Sequence, residues 1–141
     1  MDLVKRLVLI TAAALAALAF ASGWFGSDAA ADTGAVADVN LSRAQRWAKD
    51  TGAEPYQDYR KMLERKDVDV VVYATPEHQH YLPCIYAAQA GKDMYGEQPL
   101  SHTIREGRVM ADAVRKYKRV FQTGEQQRSH KATRKAAELI I

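Results

Sequence analysis

From residue 35 onward, apolar residues follow two alternating rhythms. The short runs Ala35-Val36-Ala37-Asp38-Val39, Val68–Ala74, Asp93-Met94-Tyr95 and Arg119–Thr123 predict strands. Between them, apolar positions recur three or four residues apart, which predicts helices. Leu41, Ala44, Trp47 and Ala48 share one such face, with Asn40 or Ser42 as the cap at its start and Gly52 at its end. Asp58 can cap a second, short helix whose inner face is Tyr59, Met62 and Leu63. A third helix follows Thr75-Pro76, with Tyr81, Cys84, Ile85 and Ala88 inward and Gly91 as its stop. Pro83 is tolerated there because it falls in the first turn. Thr103 and Glu106 have the spacing of a capping box. The helix they open is expected to bury Ile104, Met110, Val114 and Tyr117, with Gly107 allowing a close contact. A last helix begins near Ser129.

Val68–Ala74 is β-branched and nearly uncharged, as in a strand covered on both faces. With strand and helix alternating throughout, the expected class is α/β. The expected architecture is a Rossmann-like, doubly wound parallel sheet, here incomplete.

The N-terminus stands apart. Lys5 and Arg6 precede Leu7–Ala21, in which only Thr11 is not apolar, and Ala19-Phe20-Ala21 offers small residues at the two positions a signal peptidase reads. This reads as a secretory signal over residues 1–21, followed by a linker over 22–34 and a nucleotide-binding domain over 35–141. The apolar run is shorter than the roughly 20 residues a bilayer-spanning helix needs, so no stable membrane anchor is expected. Such a signal implies an exported or periplasmic protein; without it the chain is cytoplasmic. In the competing reading, Leu7–Thr11 is a first strand and Ala12–Phe20 the helix after it. A dinucleotide fingerprint needs glycine where that strand turns into the helix, so that backbone can approach the pyrophosphate. Here the turn reads Thr11-Ala12-Ala13-Ala14, and each methyl group fills space the phosphate needs.

Composition narrows the function. The chain of 141 residues is 48% hydrophobic and 26% charged, which suits one globular domain with a real core. Its net charge of +3 is concentrated in residues 102–135, with ten Lys and Arg against three Asp and Glu. Few aromatics are interleaved there to stack on bases, so no nucleic acid partner is expected. The single cysteine, Cys84, excludes an internal disulfide and lies on an inward helix face, as a buried inert thiol would.

Ligands of open parallel sheets bind beyond the C-terminal ends of the strands. Four polar segments lie there: 38–40, 75–80, 96–99 and 124–128. Asp38 is placed to accept hydrogen bonds from a ribose. Thr75-Pro76 turns the chain sharply and leaves backbone groups facing a ligand. His78 and His80, with Cys84 a turn further on, hint at zinc but lack a fourth ligand, so no metal is expected. A histidine near a helix start suits hydrogen bonding or general acid/base work, which makes His80 a candidate catalytic group and His78 a cofactor neighbour.

Together these segments resemble the glucose-fructose oxidoreductase/inositol dehydrogenase/rhizopine-catabolism family (Gfo/Idh/MocA). The resemblance is carried by 56–60, 66–72, Ala74-Thr75-Pro76-Glu77-His78-Gln79-His80 and 90–100, in that order. It implies a Rossmann domain that binds NAD or NADP, followed by a substrate domain that this chain lacks. It also implies hydride exchange with a sugar, polyol or related small-molecule substrate in an intact parent. Asp38, Thr75, Pro76, His78, Glu97 and Gln98 are then the cofactor-side residues. Gln98 occupies the position of the family's Glu-Lys-Pro lysine, which supplies a charge that an amide cannot. With the fingerprint, the lysine and the substrate domain missing, the resemblance implies that the chain alone binds the cofactor weakly. It is also expected to be an inactive fragment or binding module.

Overall fold

The computed structural model describes residues 7–11, 33–125, 128 and 130–140. The apolar runs become strands β1 (Leu7–Thr11), β2 (Thr33–Ala37), β3 (Glu54–Tyr56), β4 (Val70–Ala74), β5 (Asp93–Gly96) and β6 (Phe121–Thr123). The periodic segments become helices α1 (Leu41–Thr51), α2 (Tyr59–Leu63), α3 (Tyr81–Gln89), α4 (Ile104–Lys116) and α5 (Lys131–Ile140). The strands form one sheet in the order β3-β2-β1-β4-β5-β6, and every neighbouring pair is parallel. Of the two readings of Leu7–Thr11, the strand is the one observed: Leu9 pairs with Val36 on one side and Val72 on the other. The proposed helix over Ala12–Phe20 lies outside the described residues, as does most of the linker.

Alternate residues of each strand face opposite layers. Ala35, Ala37, Val71, Tyr73 and Met94 pack against Met62, Cys84, Ala87, Ala88 and Met110 of α2, α3 and α4. Val36, Val72 and Tyr95 face the other way, where Ala44, Trp47 and Ala48 of α1 cover them. Burying each larger side chain contributes about 1.5–3 kcal/mol, so the two layers together hold the sheet.

Local chemistry sets the helix ends. Asn40, not Ser42, caps α1, accepting from the Ser42 N–H at 3.1 Å, and Gly52 ends it at φ 74°. Asp58 accepts from the Arg60 N–H at 2.9 Å. Thr103 and Glu106 form the capping box at 3.2 and 3.0 Å.

Four features depart from the periodicity. Strand β3 was not anticipated: Pro55 lacks a ladder donor and is accommodated because β3 lies at the sheet edge. Strand β2 ends before Asp38, leaving Val39 84% exposed. Ile104 is 95% exposed because it follows the cap directly, at the tip of α4, whereas Met110 two turns on is buried. On α3 the buried residues are Pro83, Cys84, Ala87 and Ala88, with Ile85 only half-buried. No helix among the described residues is long and apolar enough to cross a membrane.

The strands' N-terminal edge is tied by charged side chains. Lys92 Nζ donates to the Arg65 carbonyl at 2.7 Å, and Arg65 pairs with Glu54 and Asp67 at 2.7 and 2.6 Å. The Asp93 carboxylate accepts from the Val120 N–H at 3.0 Å, which sets the start of β6 beside β5.

Candidate cofactor site

Because all strands are parallel, their C-terminal ends share one edge. Asp38, Thr75, Glu97 and Gly124 each follow directly on β2, β4, β5 and β6. Thr11, the last residue of β1, pairs with Ala74 and so lies between the ends bearing Asp38 and Thr75. Chain connections run outward in both directions from β1 and β4, which makes this the switch point where dinucleotides bind in such sheets.

Asp38 is buried. Its carboxylate accepts from the Asn40 N–H at 2.7 Å, and its own N–H donates to the Tyr56 carbonyl at 3.1 Å. These bonds fix the carboxylate at the entrance to α1. The Thr75 Oγ1 is shielded from solvent and has no hydrogen-bond partner among the described residues. Such an orphan costs stability unless a partner arrives, and a ligand hydroxyl or amide is a natural partner at this edge.

After Thr75, Pro76 opens a single 3₁₀ turn over Glu77–Gln79, closed by Gln79 N–H to the Pro76 carbonyl at 2.7 Å. This turn separates the two histidines. His78 is exposed, whereas His80 is 1% exposed beneath the turn. His80 Nδ1 lies 2.6 Å from the Pro99 carbonyl and Nε2 lies 2.7 Å from the Thr75 carbonyl. Both ring nitrogens are engaged, so His80, expected as a reacting group, has no free nitrogen to offer a substrate. Among the described residues no cluster of three His, Cys, Asp or Glu is arranged to hold a metal ion. Burial pushes the Cys84 thiol up to about 11, against a smaller opposite pull from the Tyr73 hydroxyl.

At the end of β5, Glu97 is 7% exposed, while Gln98 and Pro99, joined by a cis peptide, are exposed. The Glu97 N–H donates to the Tyr73 carbonyl at 3.0 Å and the Gly124 N–H to the Gly96 carbonyl at 2.7 Å, which carries the β-ladder into both turns. For two glycines here the sequence marks the segment but not the contact that requires glycine. A Cβ on Gly96 would collide with the hydroxyl end of the Tyr73 ring, and one on Gly124 would meet Glu97 Oε2 at 2.7 Å and the Tyr95 hydroxyl at 2.9 Å. Burial and the nearby carboxylates of Glu97 and Glu125 push the Tyr95 hydroxyl up to about 12. The available signal was glycine directly after an apolar strand, at two successive strands.

The structure thus brings Asp38, Thr75, Pro76, Glu97 and Gln98 to one edge, with His78 on its surface and His80 underneath. An open cavity of about 660 Å³ lies elsewhere, along α1 and β3 between Ser42 and Pro55, and none of these residues lines it.

Comparison with known proteins agrees with this geometry. A levoglucosan dehydrogenase of Pseudarthrobacter phenanthrenivorans is 38% identical over 81 residues, covering 57% of this chain and 21% of the relative. Inositol 2-dehydrogenase 1 of Saccharopolyspora erythraea is 32% identical over 102 residues, covering 70% and 30%. The chain therefore spans a third or less of these relatives' length. The crystal structure of an NAD binding oxidoreductase from Klebsiella pneumoniae superposes with a TM-score of 0.72 at 26% identity, over 85% of this chain and 34% of that one. The WlbA dehydrogenase from Bordetella pertussis, solved with NADH and UDP-GlcNAcA, superposes with a TM-score of 0.86 over 96% of this chain and 41% of that one. At 24% identity this second likeness speaks for the fold alone. A profile of the GFO_IDH_MocA oxidoreductase family, NAD-binding Rossmann fold, matches residues 8–125, and the chain belongs to that family as its nucleotide-binding domain.

Proposed function

We propose that this chain supplies the dinucleotide half of an active site that exchanges hydride between NAD(P) and a CH–OH carbon of a sugar, polyol or related small molecule. The observation that carries this reading is the convergence of Asp38, Thr75 and Glu97 on the C-terminal edge at the switch point of a family Rossmann sheet. The relatives' names, levoglucosan and inositol dehydrogenases, support the substrate class.

When bound, NAD(P) supplies the hydride acceptor or donor. Asp38 receives the adenosine ribose hydroxyls, its carboxylate held by the Asn40 N–H. The orphaned Thr75 hydroxyl and the backbone of the Thr75-Pro76 turn line the next stretch of the cofactor. Gln98 stands exposed at the substrate side, where its amide can orient an oxygen but neither charges nor protonates it. That amide favours a second reading, in which the chain binds nucleotide and contributes no chemistry of its own.

NADH titration by calorimetry tests the first reading. With Thr11-Ala12-Ala13-Ala14 at the end of β1, binding weaker than micromolar is expected. Glycines at Ala12 and Ala14 should tighten it about a hundredfold, since each regained bond to a charged phosphate contributes about 1.5–3 kcal/mol. Micromolar affinity of the unaltered chain would show that the alanines leave the pyrophosphate its room. No gain from the glycines would refute this placement of the pyrophosphate.

A further inference from the structure

His80 lies between two turns that are far apart in sequence. One follows β4 and the other follows β5. No backbone hydrogen bond found among the described residues joins Thr75 to Pro99; the imidazole joins them, with Nε2 on one carbonyl and Nδ1 on the other, at 2.7 and 2.6 Å. The ring is also packed on one side. Tyr73 meets it edge-on, with ring centroids 5.5 Å apart, and Phe121 stacks on Tyr73 at 6.3 Å. The His80 backbone is fixed as well, its N–H donating to the Glu77 carbonyl at 3.2 Å and its carbonyl accepting from Cys84 N–H at 3.4 Å. The side chain is thus a short strut of fixed length between two carbonyls.

Only histidine fits this arrangement. Two acceptors face each other across a flat space about one five-membered ring wide, and each needs an N–H. A neutral imidazole supplies one and the imidazolium both. An asparagine or glutamine amide carries its two N–H groups on one nitrogen and cannot reach opposite sides. A hydrophobic ring fills the space but takes the imidazole's N–H away from both carbonyls.

We propose that His80 is a positioning residue, a cross-tie that sets the separation of the Thr75-Pro76 and Gln98-Pro99 turns. It presents the first turn's backbone and the Gln98 side chain together to the bound dinucleotide. The inference rests on the reading of these turns as the cofactor's side of the domain. It assigns His80 no contact with cofactor or substrate. Its action is through the two turns, so its loss frees both at once.

The test uses the full chain and two readouts. Hydrogen exchange with mass spectrometry follows peptides over 75–80, 97–101 and, as a control, 104–116. NADH titration follows the site. In His80→Phe, which keeps ring volume, exchange should rise in 75–80 and in 97–101 together and stay unchanged in 104–116. NADH affinity should fall about tenfold, as for the loss of one net hydrogen bond. In His80→Gly, added imidazole should restore slow exchange in both turns, whereas 1-methylimidazole, which has no N–H when neutral and only one when protonated, should not. If His80→Gly folds only when imidazole is present and not with 1-methylimidazole, that is the same result.

Unchanged exchange in 97–101 of His80→Phe would overturn the cross-tie, as would equal rescue by the two imidazoles, which would mean simple space filling. Equal NADH affinity of the unaltered chain and His80→Phe would overturn the positioning role. If the unaltered chain binds no NADH while exchange behaves as expected, the cofactor reading fails and the cross-tie stands.

Discussion

The two edges of the sheet solve the same problem with different chemistry. Parallel strands leave turns at both ends, and each set must be tied across a gap in sequence. At the N-terminal edge the ties are charged. Lys92 reaches back to the Arg65 carbonyl, Arg65 pairs with Glu54 and Asp67, and Asp93 holds the Val120 N–H. At the C-terminal edge the side-chain tie between the turns after β4 and β5 is one buried imidazole, packed against Tyr73. A long cation ties its neighbours and tolerates small displacements. A rigid ring fixed at both nitrogens does not. The flexible ties thus lie at the strand starts, and the rigid one at the edge proposed to face the dinucleotide. The C-terminal edge also keeps the orphaned Thr75 hydroxyl and the glycines that leave room for the Tyr73 ring and the Glu97 carboxylate.

The largest effect expected is at that rigid edge. In Gly96→Ala the new methyl group meets the Tyr73 ring, which is fully buried between His80 and Phe121 and has nowhere to move. Overpacking of this kind costs about 3 kcal/mol at the upper end of its usual range. In a chain of this size that lowers the melting temperature by about 10 °C. The compressed ring also presses on His80, so exchange in 97–101 should rise even well below the melting temperature. Wild-type stability in Gly96→Ala would mean that the edge is not close-packed, and the contrast with the other edge would lose its basis.

The edges also differed in how far they could be read from the sequence. Alternating strands and helices were plain because apolar spacing reports burial directly, and Asp58, Gly52 and the Thr103–Glu106 box act within four residues of themselves. The polar segments after β2, β4 and β5 were visible as breaks in apolar runs, and Asp38 and Thr75 do sit at those ends. What stayed hidden depends on partners far along the chain. Nothing near His80 announces that Pro99, 19 residues on, will meet its Nδ1. Nothing near Gly96 reveals Tyr73 on the neighbouring strand. Ile104 misled for the opposite reason: its spacing suits the inner face, but its place directly after the cap puts it past the edge of the layer below. Strand β3 was missed because a three-residue edge strand with a central proline carries almost no pattern.

A second, smaller effect sharpens the contrast through pH. The floor under the His80 strut contains Cys84, whose thiol burial raises from 9.0 to about 11. Between those values the unfolded chain has lost this proton and the folded chain keeps it. The unfolded state then binds fewer protons, so stability falls as pH rises through that window and is fully present below about pH 9. The difference is worth about 2–3 kcal/mol. Tyr59, pushed up to about 12 chiefly by burial, acts in the same direction from its ordinary value of 10.0, so the unaltered chain alone does not isolate the thiol. Urea unfolding at pH 8 and pH 11 should therefore show a shallower loss in Cys84→Ala than in the unaltered protein. Equal losses would mean that water reaches the thiol, and the floor of this edge would not be dry.

The smallest effect belongs to the N-terminal edge. Lys92 is 8% exposed, and burial holds its ammonium below the usual lysine range, partly offset by the carboxylates of Asp69 and Asp67. Its bond to the Arg65 carbonyl therefore comes with a desolvation cost that methionine would not carry. Lys92→Met keeps the length of the stem and its packing, and loses the bond. A hydrogen bond from a charged donor contributes about 1.5–3 kcal/mol, and relief from desolvation returns part of it, so a net loss of about 1 kcal/mol is expected. Because this tie lies at the strand starts, NADH affinity should not change, whereas His80→Phe costs affinity at the other edge. Denaturant unfolding and NADH titration on the same preparation read both quantities. A drop in affinity in Lys92→Met comparable to that in His80→Phe would mean the sheet transmits strain from end to end, and its two edges could no longer be treated as separate devices.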